Sequence, residues 1–365
     1  MKIGIDIRSA GGNKTGKGWL TYHIVKNLLN LDHDNQYILY TQDGISAFAN
    51  YKNAEMRIVK SKGIFWHRNM IKDAKREELD VFIAPTSYII PSFLPKAIKS
   101  IIFIHDLVAF LFPNNHNKKA VIIERLLLKR ALKKATMVMT ISENTKRDIM
   151  SFFKYPEDKI TIAYCSAGEN FKPLNKEELE PFAKETSLPK NFFLAVGTLE
   201  PRKNYINLIE AFDVFSKKYK DFHLVIVGGQ GWKYEEIYEK VKKLYLQKKV
   251  HFIGYVSEKS LVKLYNLAKA LVFPSIYEGF GIPPLEAMKC GCPVIASYTS
   301  SIPEVVGDAG ILINPGEPME IAGAMAKIIN NQNLCAELKN KSLLQSKKFS
   351  WESSAKKLMN VINRI

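Results

Sequence analysis

The feature that most constrains this chain is a rhythm. Short runs of consecutive aliphatic residues alternate with longer helical stretches from one end to the other. A first set of runs covers 3–7, 37–40, 81–84, 100–104, 137–141 and 160–164, and a second covers 192–196, 223–227, 250–253, 271–273, 293–296 and 310–313. Apolar residues at successive positions, instead of every second one, mark strands buried on both faces, so both sets predict parallel sheets covered by helices. Alternation throughout implies an α/β architecture. Between the sets, residues 172–190 read KPLNKEELEPFAKETSLPK, with three prolines and no strand pattern, which predicts an interdomain linker. The expected organisation is an α/β domain over 1–172, a linker over 173–189, a second α/β domain over 190–347 and a terminal segment over 348–365. In that last segment Ser350 caps a helix that opens at Trp351 and continues through Val361. Two such domains leave a cleft between the carboxyl ends of their sheets, where ligands of α/β folds bind.

Composition narrows the partners. Lys and Arg exceed Asp and Glu by 53 to 36, a formal charge of +17, which fits a polyanionic neighbour such as nucleotide phosphates or an anionic membrane face, or a general lysine bias. No aromatic-interleaved basic stripe or reading module accompanies that charge, so nucleic acid is not an expected partner. Cys165, Cys290, Cys292 and Cys335 are too few and too irregular for a disulfide framework, and the Cys290–Cys292 spacing is not that of a zinc knuckle. A reducing compartment fits. Asp6 and Arg8 interrupt the opening apolar run too early for a signal peptide, and His105 and Asp106 break the run 101–112 short of a bilayer span. The expectation is a cytoplasmic chain, at most peripheral on the inner face of the cell membrane.

Four constellations carry chemistry. Gly11 and Gly12 open a glycine-rich loop ahead of a helix near Trp19, where backbone N–H groups approach a ligand and the helix presents its positive end. The spacing is neither a Walker loop nor a dinucleotide fingerprint, and a surface turn fits it equally. His105 and Asp106 follow the apolar strand 100–104, at the end where α/β proteins place ligands. Glu200-Pro201-Arg202-Lys203-Asn204 follows the strand ending at Val196 and the turn Gly197-Thr198; a guanidinium fork and an ammonium at a helix start suit phosphate oxygens. The sharpest is Glu278-Gly279-Phe280-Gly281-Ile282-Pro283-Pro284-Leu285-Glu286, after the strand 271–273. A proline suits the first turn of a helix, that helix is expected to carry Glu286 in its first turn and to stop near Gly291, and Phe280 and Gly281 are expected to offer free N–H groups. Two carboxylates for hydroxyls beside amides for anions is what a nucleotide sugar needs.

At these residues the chain resembles the family-4 retaining glycosyltransferases, which have the GT-B fold, so the resemblance implies two Rossmann-like parallel-sheet domains facing a cleft. TGKGWL at 15–20, HD at 105–106, EPRKN at 200–204, GGQG at 228–231 and EGFGIPPLE at 278–286 stand in the family's order, and the E-x7-E element is the most specific of them. The closing FSWESSAKKL resembles the family's terminal helix, which packs back on the first domain. Leu20, where an aromatic is usual, and Ser166-Ala167-Gly168, in place of Gly-Val-Asp, are departures that bear on the acceptor side or the hinge.

The resemblance implies roles. Arg202 and Lys203 would neutralise the donor diphosphate, Glu278 would face the donor sugar, and Glu286 would accept ribose hydroxyls. Thr198, Gly229, Phe280, Gly281, Ile282 and Leu285 would line the donor site, with the base near Tyr255 and Val256 and with Gly11 and Gly12 approaching the diphosphate. His105, with Asp106 beside it, would reach the donor sugar near the reacting carbon. No cofactor or metal is implied, since Arg and Lys do the work of a metal ion. The implied donor is GDP-, UDP- or ADP-linked, and the wording of EPRKN and EGFGIPPLE resembles O-antigen and capsule mannosyltransferases, so mannose is the expected hexose. The expected acceptor is a glycan or lipid-linked glycan in surface polysaccharide synthesis. Helix 117–135 carries Lys118, Lys119, Lys129, Arg130, Lys133 and Lys134, and residues 1–172 hold 27 Lys and Arg against 16 Asp and Glu. That helix fits anionic lipid or packing on its own sheet, and the apolar residues at 88–91 and 110–113 read as loops facing a lipid-linked acceptor. Alternatives are a nucleotide-sugar epimerase or hydrolase on the same fold, which would need a second acid/base group beside His105, and a non-catalytic basic nucleotide- or nucleic-acid-binding protein.

Overall fold

The computed structural model describes residues 1–12, 14, 16–113 and 118–365, with no side chains at 118–120. The chain forms two compact units, one of Met1–Cys165 with Ser350–Ile365 and one of Ser166–Phe349. The division falls at Ser166, ahead of the expected residue 172, and 173–189 is no linker. Lys176–Glu185 is a helix of the second unit, opened by a reciprocal pair in which the Glu178 N–H donates to Asn175 Oδ1 (2.9 Å) and the Asn175 N–H to Glu178 Oε2 (3.0 Å). Two of the three prolines, Pro173 and Pro189, lie outside that helix, so they mark its flanks. Ser166 Oγ donates to the Phe349 carbonyl at 2.9 Å, tying together the first and last residues of the second unit.

In the first unit the strands are β1 (Lys2–Asp6), β2 (Gln36–Thr41), β3 (Ala54–Ile58), β4 (Val81–Ala84), β5 (Lys99–Ile104), β6 (Met137–Thr140) and β7 (Ile160–Ile162). They form one sheet in the order β3-β2-β1-β4-β5-β6-β7, every pair parallel. In the second unit β8 (Phe192–Val196), β9 (His223–Val227), β10 (Val250–Gly254), β11 (Leu271–Phe273), β12 (Val294–Ser297) and β13 (Gly310–Ile313) give the parallel order β10-β9-β8-β11-β12-β13. The two sheets share the doubly wound plan. Strand order reverses beside β1 in one and β8 in the other, which leaves a crevice at the carboxyl ends of β1 and β4 and of β8 and β11.

Every predicted run is a strand, and β3 is an additional one. Its sequence AEMRI has no aliphatic run because it is an edge strand with no fully buried residue. The crossover helices bury their apolar faces on the sheets. Trp66, Met70 and Ala74 from helix Gly63–Arg76 share a core with Val121, Leu128, Ala131 and Leu132 from helix Lys118–Lys134. In the second unit Phe212 and Phe215 of helix Tyr205–Lys218 pack on Phe193. Each such phenylalanine contributes about 2–3 kcal/mol by leaving water.

The terminal helix Trp351–Ile362 belongs to the first unit. Ser350 Oγ accepts the Ser353 N–H (3.1 Å), and Trp351 stacks flat on His23, 5.0 Å between centroids. The apolar residues at 88–91 and 110–113 fall largely within short helices, Ile89–Phe93 and Val108–Leu111, and not in open loops; Ile90 and Phe110 are buried and Phe93 is exposed. Among the described residues no helix is long and apolar enough to cross a membrane.

Candidate active site

The site in the second unit begins where β8 and β9 end. Gly197 and Gly228 adopt φ of +148° and +155°, and a Cβ on Gly228 would lie 1.9 Å from the Gly197 carbonyl oxygen. Only glycine permits the two loops to run this close. Backbone bonds then join them, from Leu199 N–H to Gly229 O (2.9 Å) and from Gly231 N–H to Leu199 O (3.2 Å). Gly228 and Gly231, where a Cβ would lie 2.7 Å from the Leu199 carbonyl oxygen, are therefore the demanding glycines of the GGQG run, while Gly229 and Thr198 are exposed.

Pro201–Lys203 is a single 3-10 turn, and Asn204 breaks it with φ of +60° before helix Tyr205–Lys218 begins. Arg202 and Lys203 therefore precede the helix instead of forming its first turn, as the sequence suggested, because Asn204 takes the left-handed cap between them. The Ile276 N–H donates to Arg202 O (2.9 Å) and Arg202 Nη1 donates to Tyr277 O (2.7 Å), which fixes both loops to each other. This brings Glu278 between two cations. Its Oε1 lies 2.6 Å from Lys203 Nζ and its Oε2 2.8 Å from Arg202 Nη1, while Ser275 Oγ donates to Oε1 at 2.5 Å. Arg202 Nη2 also reaches Glu200 Oε1 at 2.5 Å. Burial opposes ionisation of Glu278, but the charges of Lys203 and Arg202 prevail and hold its pKa at about 2. Its backbone is pinned as well: its N–H donates to Ser300 Oγ (2.9 Å), and Ser301 Oγ donates toward the carbonyls of Glu278 (2.9 Å) and Phe280 (2.8 Å).

Glu286 stands on helix Ile282–Lys289, with Gly281 at its N-cap (φ +112°) and Pro283 in the first turn. It is the fifth helical residue, one turn later than expected, because Ile282, Pro283 and Pro284 take the first positions. Its side chain is half-buried, yet protein surrounds the carboxylate closely enough for burial to dominate. That burial raises the pKa to about 7 despite a 2.9 Å bond from the Tyr265 hydroxyl, and the Glu258 charge adds to the rise. Leu285 was expected to touch substrate, but its side chain is fully buried and its N–H points to Gly281 O (3.4 Å), so it is a packing residue. Phe280 is likewise buried, its ring edge-on to Phe349. Ile282 and Val256 are half-buried and Tyr255 is exposed just beyond β10.

In the first unit His105 follows β5 and is buried. Its Nε2 lies 2.7 Å from the Pro85 carbonyl, which can only accept, so Nε2 carries the proton and Nδ1 the lone pair. Burial and the Lys17 charge press its pKa to about 4, leaving the ring neutral at pH 7. Asp106 Oδ1 accepts the Val108 N–H (3.1 Å). Gly11 and Gly12 close the turn after residues Arg8–Ala10, and Gly12 has φ of +56° with open space around its α-carbon. Sequence reasoning missed Ser275, Ser300, Ser301 and Tyr265. The one signal available was Ser275, three residues before Glu278 at a strand end.

The geometry meets the comparisons with known proteins. A family described as Glycosyl transferases group 1 matches residues 176–344, and Glycosyltransferase Family 4 matches residues 15–166. The O-antigen chain mannosyltransferase B of Escherichia coli is 30% identical over 289 residues, 79% of this chain and 75% of that protein. The serotype-specific mannosyltransferase WbdA of Escherichia coli is 30% identical over 263 residues, 70% of this chain; the match spans only 32% of that protein's own length. The fold matches that of Anabaena Alr3699/HepE in complex with UDP-glucose, with a TM-score of 0.80, 17% identity and 100% of both chains covered. Two doubly wound units and two family matches that follow each other along the sequence lead to one conclusion: the chain belongs to glycosyltransferase family 4 and has the GT-B fold.

Proposed function

We propose that the chain is a retaining, metal-independent hexosyltransferase that moves mannose from a nucleoside diphosphate sugar to a glycan or lipid-linked acceptor in bacterial surface polysaccharide synthesis. Both relatives are named as mannosyltransferases, which supports the sugar, and one of them as an O-antigen chain mannosyltransferase, which supports the pathway class. The observation that carries the chemistry is the Lys203–Glu278–Arg202 cluster beside the carboxyl ends of β8 and β11. As it stands, Arg202 and Lys203 are balanced by Glu278 and Glu200. A diphosphate gains from the cations only by replacing a carboxylate, and Glu200, with 24% of its side chain exposed against 12% for Glu278, is the cheaper one to displace. The cations then stabilise the charge that grows on the departing phosphate, which lowers the barrier directly. Glu286 accepts ribose hydroxyls. His105, neutral and with Nδ1 free to accept, orients a hydroxyl of the donor sugar.

No carboxylate in the described site is left over as a nucleophile, which supports same-face substitution: the departing phosphate oxygen takes the acceptor proton and the anomeric configuration is kept. A thermal-shift screen of GDP-mannose, UDP-glucose and ADP-glucose against wild type and Glu286→Ala tests the donor site. One nucleotide sugar should raise the melting temperature of the wild type and lose that effect in the variant. NMR of the anomeric proton in the product tests the stereochemistry, and an inverted linkage overturns the retaining reading.

Contact with an anionic membrane face completes the proposal. Helices Gly63–Arg76 and Lys118–Lys134 both follow strands whose crossovers step the same way along the sheet, so they cover one face and start at its carboxyl edge. Near those starts Ile64, Phe65, Ile122, Ile123 and Leu126 are exposed (76% for Ile64, 69% for Leu126), and Arg68, Lys72, Lys129, Arg130 and Lys133 follow on the exposed sides. Aliphatic residues to enter the lipid and cations to meet its headgroups are complementary to an anionic bilayer. Vesicles of phosphatidylglycerol should sediment the protein and vesicles of phosphatidylcholine should not. Leu126→Glu with Ile122→Glu should abolish the binding, and retention by both vesicle types or by neither overturns it.

A further inference from the structure

Trp19 does not belong to either cluster described above. It lies in the first turn of helix Gly16–Leu31, directly after the glycine-rich loop, with 38% of its surface exposed. One side of its ring is backed by a ladder. Trp19 stacks on His23 (5.6 Å, 25°), and His23 stacks on Trp351 (5.0 Å, 7°), whose ring is buried. Tyr22 stands edge-on to Trp19 at 5.8 Å, and Lys14 Nζ lies 5.0 Å and 5.1 Å from the Trp19 and Tyr22 ring centres. The indole is held in place by its neighbours, so a ligand that covers it loses little freedom in the protein. The ring keeps 38% of its surface open while Tyr22 and His23 hold its plane, which leaves a fixed aromatic surface for a ligand.

The Lys14 ammonium lies over the indole ring, and a pyranose that takes its place there sets its C–H face on the aromatic surface while its hydroxyls accept from the displaced ammonium. We infer that Trp19 is a subsite for an internal sugar of the acceptor, one that is not itself glycosylated, held on the Trp19 ring with Lys14 at its edge. This rests on the glycosyltransferase reading and adds to it that the preferred acceptor is an oligosaccharide.

The test uses the full-length protein with mannotriose and methyl α-mannoside as acceptors. Wild type should favour mannotriose through a lower KM. Trp19→Ala should raise the mannotriose KM on the order of tenfold and erase that preference, with the donor KM held, and Trp19→Phe should restore most of it. Mannotriose should also quench the tryptophan fluorescence of the wild type and not that of Trp19→Phe. The inference is overturned if Trp19→Ala keeps the wild-type preference, if donor KM rises in parallel, or if mannotriose leaves the wild-type fluorescence unchanged. Failure of the glycosyltransferase reading is a separate result: no nucleotide sugar would then stabilise even the wild type.

Discussion

Glu278 and Glu286 are eight residues apart in one motif, carry the same functional group and have been given opposite electrostatic surroundings. Glu278 lies between Lys203 and Arg202 with a hydroxyl from Ser275, and its pKa sits at about 2. Glu286 has one neutral partner, Tyr265, and burial lifts its pKa to about 7. A carboxylate that must remain charged to hold two cations in register is supplied with those cations. One that is proposed to exchange hydrogen bonds with neutral ribose hydroxyls needs no counter-ion and has none among the described residues. Carboxyl groups pushed apart in this way divide the labour of a site between them.

The largest break in that comparison is removal of the charge at position 278. Glu278→Gln leaves two cations without their shared partner, and the transfer rate should fall by roughly 10²–10³-fold. Stability should drop by about 3 kcal/mol, since a buried pair has lost one member, read by initial rates and urea melts. Glu286→Gln should lower the rate much less and act mainly through donor KM.

Stability against pH separates the two acids by sign. The folded pKa of Glu278 lies below its ordinary value of 4.5, so its contribution is complete above 4.5 and is lost as pH falls toward 2. For Glu286 the folded pKa lies above 4.5, so the folded state keeps a proton the unfolded chain has released, and stability declines as pH rises from 4.5 through 7. Glu286→Gln should flatten the second slope and leave the first, as followed by urea midpoints across pH. Nucleotide-sugar affinity should rise through pH 7 as Glu286 ionises and becomes a full acceptor, and the glutamine variant should lose that inflection in a calorimetric titration.

The smallest effect sharpens the comparison from outside it. Glu200 shares Arg202 with Glu278 but is the more exposed of the two. Glu200→Gln removes the carboxylate a diphosphate has to displace, and donor KM should fall a few-fold, in line with the modest worth of a partly exposed ion pair. A rise in KM would mean that Glu200 positions Arg202 more than it competes for it.

Much of this molecule was legible in the chain itself. Consecutive apolar runs can bury only on both faces, so parallel sheets and the α/β class followed from them, and the order of HD, EPRKN, GGQG and EGFGIPPLE pointed to the family. These are local properties: a strand's period, a cap at Ser350, a proline at a helix start. What depended on distant residues meeting was not legible. Nothing in AEMRI announces the edge strand β3, because its pairing with β2 supplies what its own pattern lacks. Residues 173–189 read as a linker from their prolines, while the Asn175–Glu178 cap made a helix of them. Leu285 stood among donor-site candidates by its place in the motif and proved to be core. The pairing of Glu278 with residues 75 and 76 positions away, and its separation in character from Glu286, were decided only when the loops after β8 and β11 came together. A carboxylate's sequence neighbours do not set its charge state; the dielectric and the cations around it do, and folding puts those in place.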